Sequence, residues 1–340
     1  MSDYRAILPP YLLKELAKRN PNNPVFNQTL KLTEKLFKQA PDESTINLVR
    51  AGAPVGKAIR IIYSANNTQD LPGTKVRSEN DKPVDDAVVN DAFTFHGNTR
   101  DFYKAVFKRN SIDNEGMNLI GSVHYSEKYD NAFWDGSQMI YGDGDGDVFA
   151  TFVLIDVIGH EMSHGVTQFT SNLNYEGQSG ALNEHFSDVM GVLVRQYTNK
   201  LTSDQDSWLI GPGIFTQSVK GRALRDMLNP GTAYDDPRLG KDPQPASMDN
   251  YVQTFEDNGG VHLNSGIPNR AFALFAKAVG GYAWEVAGQV WYATNSGKNR
   301  VGSDVDFNGF AKKTIENCKT MFPQHVRKLT LAWAAVGIHV

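Results

Sequence analysis

The chain has one cysteine in 340 residues, Cys318, which excludes an intramolecular disulfide framework and any cysteine-rich metal site. No apolar run approaches the roughly 18–20 residues that a membrane-spanning helix needs. The start is unlike a Sec-type signal peptide, because Asp3, Arg5 and Pro9-Pro10 interrupt any apolar stretch. A basic excess is also missing: the net charge is -4 and the pI about 6.1, which argues against a general nucleic-acid binder. These absences lead us to expect neither a membrane nor a nucleic-acid partner, and a protein that is cytoplasmic or leaves the cell by a non-Sec route. Apolar material is not lacking. Hydrophobic residues make up 40% and charged residues 21%, enough for a sizeable core. The length suggests two or three domains at roughly 100–200 residues each.

Residues 1–50 read as a separate unit. They hold eight Lys/Arg against five Asp/Glu, a net of +3, whereas the other 290 residues hold 26 against 33, a net of -7. So small an imbalance is either sampling scatter or the mark of a basic segment docked on an acidic body. Tyr11–Leu16 reads as a short helix with Pro10 near its start. Asn20–Pro24 is a turn cluster, and Leu30, Leu32, Leu36 and Phe37 partly fit a second amphipathic helix. From residue 51 to about 149 the signals are mainly for strands and turns, at Ala58–Tyr63, Gly121–Tyr125 and Gln138–Tyr141, with one helical stretch over Val84–Lys108. Helical patterns follow over Phe152–Phe169, Ala181–Tyr197, Asn269–Val279, Tyr282–Thr294, Asp304–Phe322 and Pro323–Val336. A chain that runs from β-rich to α-rich predicts an α+β protein with two lobes.

His160-Glu161-Met162-Ser163-His164 is an H-E-x-x-H pattern. Residues i and i+4 share a helix face, so both imidazoles can reach one ion. Glu161 sits beside that face, where a base for a metal-bound water belongs. Alone, the pattern could be two surface histidines. A second helical pattern begins nineteen residues after His164 and carries Glu184 and Asp188 on one face of an otherwise apolar helix. Glu184 can complete a His2Glu set, the three-ligand form of a catalytic zinc. Asp188 is placed to accept the free N–H of a ligating imidazole.

The sequence resembles the thermolysin family of zinc metallopeptidases, within it the protealysin-like branch with a short N-terminal prosegment. The resemblance covers almost the whole chain. It rests on Asn131–Trp134, Tyr141–Gly146, the H-E-x-x-H helix, Gly180–Glu184 and Asp257–Gly266. It implies a two-lobed thermolysin-like fold: an inhibitory propeptide over 1–50, a β-rich catalytic lobe with the zinc helix over 51–168, and an α-helical lobe over 169–340. It implies one zinc per chain on His160, His164 and Glu184, Glu161 as general base, and Asp188 orienting His160. Tyr175 and His262 would stabilise the oxyanion, with Asp257 holding His262. Donors aimed at such an oxygen typically lower a barrier by a few kcal/mol. Asn131 and Ala132 match the edge that pairs with extended substrate, and Arg225 the arginine on the carbonyl of the leaving side. Phe149, Val157, Ile210 and Leu224 are expected to line the primed-side pocket, which favours cleavage before Leu, Ile, Val or Phe. The implied protein is a zinc-dependent neutral endopeptidase in zymogen form. Its partners are peptide and protein substrates and its own propeptide, and we expect a monomer.

One part of the family pattern is missing. Calcium-binding members carry acids where this chain has Arg195, Ser207, Leu209 and Pro212, and at two further sites where it has Ser78, Asn80 and Arg222; only Asp156 is retained. A calcium ion takes about six to eight oxygens, several of them carboxylate. Structural calcium sites are therefore expected to be absent, with Arg195 supplying positive charge near Asp156. The Gly142–Asp147 run is not read as a calcium loop, since it lacks the bidentate Glu of an EF-hand. Rigid Pro9-Pro10 can enter a cleft at low entropic cost, so Pro9–Leu13 is expected to lie across the cleft near Arg225 and Asn131. Maturation is expected between about Ser44 and Gly56.

Overall fold

The computed structural model describes residues 5–36 and 58–340. The expected cut between Ser44 and Gly56, and most of the junction around it, lie outside the described residues. The N-terminal segment supplies a two-residue strand β1 (Arg5–Ala6) and helices α1 (Pro10–Arg19) and α2 (Pro24–Leu36). Pro10 opens α1 where its missing N–H costs nothing. Leu12, Leu13 and Leu16 then fall on one buried face. In α2 the buried stripe is Phe26, Thr29, Thr33 and Leu36, again at helical spacing.

The next elements are β2 (Arg60–Ser64), β3 (Thr74–Ser78), α3 (Ala87–Phe107), β4 (Leu119–Val123), β5 (Ala132–Trp134) and β6 (Met139–Tyr141). Asp86 caps α3 by accepting from the Val88 and Val89 N–H groups, and Lys108 closes it in the left-handed region at φ 58°. The six strands form one sheet in the order β1-β5-β6-β4-β2-β3. The β2–β4 and β4–β6 pairs are parallel and the rest antiparallel. A parallel pair needs a long crossover, which α3 provides between β2 and β4. β1 is thus an N-terminal addition to an edge that β5 would otherwise leave open.

Two long helices follow, α4 (Ile155–Gln168) and α5 (Gly177–Asn199). Gly159 and Gly191 set their contact: a Cβ on Gly191 would lie 2.4 Å from the Asp156 carbonyl oxygen, and one on Gly159 would lie 3.0 Å from Gly191 Cα. A two-stranded ladder, β7 (Leu209–Ile210) with β8 (Arg225–Asp226), lies beyond α5 in the chain. The remaining helices used below are α6 (Asp257–Asn264), α7 (Gly266–Val279), α8 (Ala287–Ser296), α9 (Phe307–Met321) and α10 (Val326–Ala334). Trp291 stacks on Trp333 at 5.8 Å, and Phe272, Phe275 and Phe310 surround it. The main core is continuous from the sheet through α4 and α5 to this aromatic group and includes Ile7, Leu8, Leu12, Leu13, Leu16 and Phe26. A smaller cluster, with Ala6, Leu36, Tyr125, Tyr129 and Phe133, accounts for another apolar patch under α2. The α+β expectation holds: the large sheet ends at Tyr141 and helices dominate from Ile155 onward. Among the described residues no helix is long and apolar enough to cross a membrane.

Candidate active site

The H-E-x-x-H residues lie on α4 and are fully buried. Glu184 and Asp188 project from α5 into the same space. The ligand atoms of His160, His164 and Glu184 lie within 4.8 Å of one another. His160 Nε2 is 3.5 Å and His164 Nε2 3.3 Å from the Glu184 carboxylate. Each imidazole is fixed from behind. Asp188 Oδ1 accepts from His160 Nδ1 at 2.8 Å, and Asn183 Oδ1 accepts from His164 Nδ1 at 2.8 Å. With both Nδ1 atoms committed as donors, two Nε2 lone pairs face each other at 3.0 Å. Such a pair repels unless a cation lies between, and the Glu184 Oε2 atom beside them is buried with no hydrogen-bond partner. The donor set therefore fits a divalent zinc with three protein ligands.

Glu161 is buried beside this triad. Among the described residues neither of its oxygens meets a well-formed donor, and the Trp134 backbone offers only a weak one. Burial and the Glu184 charge hold its carboxyl well above the usual range. Asp188 behaves oppositely. Burial would raise it, but Arg225 and His160 hold it well below the usual range. Arg225 makes a two-pronged contact with it, Nε to Oδ2 at 2.8 Å and Nη2 to Oδ1 at 2.7 Å, and Asn269 Nδ2 donates to Oδ2 at 2.9 Å.

α6 brings in the second half of the site. Asn258, Gly259 and Gly260 sit at φ 49°, 83° and 79°, which bends the chain so that Asp257 faces His262. Asp257 takes the His262 backbone N–H at 2.9 Å and its Nδ1 at 2.6 Å. Burial alone would lower the His262 pKa, but Glu184 and Asp257 outweigh it and lift the group to about 9. Tyr175 donates to Glu184 Oε1 and lies 3.3 Å from His262 Nε2.

The cleft is occupied by the chain's own N-terminal segment. Ile7 N donates to the Ala132 carbonyl at 3.0 Å. Leu8 N donates to Asn131 Oδ1 at 2.9 Å, and Asn131 Nδ2 donates to the Leu8 carbonyl at 3.2 Å. Arg225 Nη1 reaches the Ile7 carbonyl at 3.2 Å, and His262 Nε2 lies 3.0 Å from the Ala6 carbonyl. The expectation for Pro9–Leu13 is corrected here: Arg5–Leu8 cross the cleft, while Pro9 caps α1 and Pro10 begins it. The reason is hydrogen bonding. Ala132 and Asn131 demand N–H donors, which Ile7 and Leu8 have and proline lacks. Phe149, Val157, Ile210 and Leu224 are all buried in the same apolar cluster as Ile7 and Leu8. Lys18 and Arg19 pair with Glu15 inside α1, and among the described residues the segment is held by backbone hydrogen bonds, apolar burial and the buried Arg5 side chain.

Sequence reasoning missed Asn183, Ser187 and Asn269, which brace the histidines and Asp188, and the role of Arg225 as a partner of Asp188. Asn183 was within reach, since it precedes Glu184 on the same helix. Arg225 and Asn269 lie 37 and 81 residues from Asp188, and no local pattern connects them.

A sheet lobe, a helical lobe and a buried His2Glu set between them define a metallopeptidase of the thermolysin kind. The thermolysin metallopeptidase catalytic domain matches residues 30–168, and its alpha-helical domain matches residues 171–338. The chain belongs to this family and is a zinc metalloendopeptidase. It is 44% identical to protease PrtS of Photorhabdus sp. (strain Az29), over 100% of this chain and 93% of that protein. It is 43% identical to an extracellular metalloprotease of Pectobacterium carotovorum subsp. carotovorum, over 98% and 96%. The solved precursor of protealysin, a metalloproteinase from Serratia proteamaculans, superposes with a TM-score of 0.90 at 47% identity, over 98% of this chain and 99% of that one.

Proposed function

We propose that the chain is an endopeptidase zymogen in which residues 1–50 are an inhibitory propeptide that places Arg5–Leu8 in the substrate cleft of a body formed by lobes 51–168 and 169–340. The observation that carries this reading is the pose of Ala6–Leu8. The Ala6 carbonyl meets His262, the Ile7 carbonyl meets Arg225, and Leu8 is held at both backbone groups by Asn131. That is how an extended substrate would pair with an edge strand. The likeness to a protealysin precursor supports it.

Zinc held by His160, His164 and Glu184 would polarise the substrate carbonyl and lower the pKa of water. Glu161, with a raised pKa and no good partner of its own, takes a proton from the attacking water and passes it to the departing amine. His262 is kept protonated by Asp257 and Glu184 and donates to the carbonyl oxygen as negative charge grows there, with Tyr175 alongside. Asp188 holds His160 and Arg225 in place. Arg225, Asn131 and Ala132 fix the substrate backbone. Phe149, Val157 and Leu224, with Ile210, form the apolar wall that favours Leu, Ile, Val or Phe after the cleaved bond.

The same reading includes a body without structural calcium. Arg195 supports it, since its guanidinium bridges Asp156 and Asp206 and donates to the Leu209 carbonyl.

The test is Glu161→Ala. Purified away from other proteases and loaded with zinc, it should retain about one zinc by elemental analysis, show no hydrolysis of a casein-type substrate, and keep its full mass. Wild type should convert to a chain that starts near Ala51. Near-full activity of the variant would remove Glu161 from its role, and loss of the first fifty residues at the wild-type rate would refute self-processing.

A further inference from the structure

Arg5 is the residue of β1 with the most unusual placement. An arginine in a two-residue edge strand would normally lie in solvent, yet Arg5 is 2% exposed. Its backbone pairs with Trp134 of β5, and its side chain turns inward. Nη1 donates to the His164 carbonyl at 3.0 Å, and Cζ lies 5.6 Å from the centre of the Tyr175 ring. A backbone carbonyl and an aromatic face each favour a cation. They are built from the body of the protein and do not depend on the N-terminal segment for their existence.

The register makes this a statement about substrates. His262 addresses the Ala6 carbonyl, so the bond placed for attack is Ala6–Ile7. Ile7 then stands for the residue just after the cleaved bond, Ala6 for the one before it, and Arg5 for the residue one further back. We infer that the subsite formed by Tyr175 and the His164 carbonyl selects a basic side chain, arginine above lysine. The preferred substrates are then peptides of the form Arg-x-aliphatic, cut between x and the aliphatic residue. This deepens the proposed function and rests on it, because the register depends on His262 being the donor to the reacting carbonyl. Arginine outranks lysine since a planar guanidinium can lie over the Tyr175 ring and donate to the carbonyl together.

Wild-type zinc-loaded full chain, incubated until its activity on a casein-type substrate is constant, is assayed on four quenched fluorescent peptides. They carry X-Ala-Ile-Leu with X as Arg, Lys, Ala or Glu, and the cut is located by mass spectrometry. We expect cutting between Ala and Ile in the order Arg, Lys, Ala, Glu. The expected kcat/KM for Arg is about fivefold or more above Ala and at least about tenfold above Glu, from one charge-assisted hydrogen bond and one cation–π contact. Cutting at Ala–Ile with no preference for Arg over Ala overturns the subsite and leaves the peptidase roles standing. No cutting of any peptide overturns those roles, and this inference with them. A second measurement does not use turnover. Hydrogen exchange at residues 5–8 is followed in Glu161→Ala chains that also carry Arg5, Arg5→Lys or Arg5→Ala. Protection should fall about tenfold or more with alanine and recover in part with lysine. Equal protection in all three overturns the inference.

Discussion

At the scale of single residues, Asp188 does the most work per atom. Its two oxygens accept from His160, from two nitrogens of Arg225 and from Asn269, all of them buried. One carboxylate thereby sets the tautomer of His160 and the aim of Arg225, the arginine proposed above to bind the substrate backbone. Asp188→Asn keeps the shape but replaces an acceptor with a donor that faces donors. We expect zinc affinity, measured by chelator competition, to fall about 10–100-fold. Asp188→Ala should also cost about 3–5 kcal/mol in denaturant unfolding, because Arg225 is left as a buried uncompensated charge. Asp188 was legible from its i+4 relation to Glu184. Its coupling to Arg225 was not, because it depends on where the β7–β8 ladder meets α5.

At the scale of elements, two junctions are tied by charge. His124 lies between Asp86, the cap of α3, and Asp143 after β6, at 2.9 and 2.8 Å. Hydrogen bonding and charge from Asp143 and Asp86 outweigh burial and raise its pKa to about 9, from an unfolded value near 6.5. A raised histidine pKa stabilises fully below about 6.5, and the contribution is lost as pH rises through 9. The two carboxylates are 42% and 34% exposed, so the gain is held to about 1 kcal/mol. His124 has φ 54°, a region asparagine adopts more readily than most side-chain-bearing residues, so His124→Asn removes the imidazole with little added strain. That variant should be about 1 kcal/mol less stable than wild type at pH 6, and the two should converge by pH 10. A gap that persists unchanged at pH 10 would show that the bridge is not its cause. The second junction is Arg195 of α5, which ties Asp156 of α4 to Asp206 and the Leu209 carbonyl. Calcium chelation at a concentration that spares zinc should leave the Tm unchanged, whereas Arg195→Ala should cost about 3–5 kcal/mol with two buried carboxylates left unpaired. A clear drop in Tm on chelation, restored by calcium and not by zinc, would refute the calcium-free reading.

At the scale of the whole molecule, the described part of the N-terminal segment contacts both the sheet lobe and the helical lobe. β1 extends the sheet, α2 contacts the loop before β5 through Thr29 with Asp130 and Thr33 with Tyr129, and Asn20 after α1 reaches the Arg238 carbonyl beyond β8. Leu12, Leu13 and Leu16 are buried in the main core, so the segment is part of the fold's apolar interior. Leu16→Ala should cost about 2–4 kcal/mol in unfolding of the full chain. It should also shorten the lag before activity appears, because the segment leaves the cleft more readily. An unchanged lag alongside a lowered Tm would separate the core role of Leu16 from inhibition.

The sequence by itself determined the parts of this protein that depend on local spacing. The two histidines four apart on α4, Glu184 and Asp188 four apart on α5, the Gly-Gly bend before His262 and the start of α1 at Pro10 all follow from helix geometry and the limits of proline and glycine. Tertiary structure decided which faces meet. β1 is two residues long, too short to show alternation, and gains its hydrogen bonds only from β5. That is why the sequence points to Pro9–Leu13 for the cleft while the structure places Arg5–Leu8 there. The contacts that join Asp188 to Arg225 and Asn269, and Ala6 to His262, span 37, 81 and 256 residues. Periodicity fixes the side of an element on which a residue stands. The partner across the gap is set by how whole helices and sheets pack, and no short stretch of sequence carries that information.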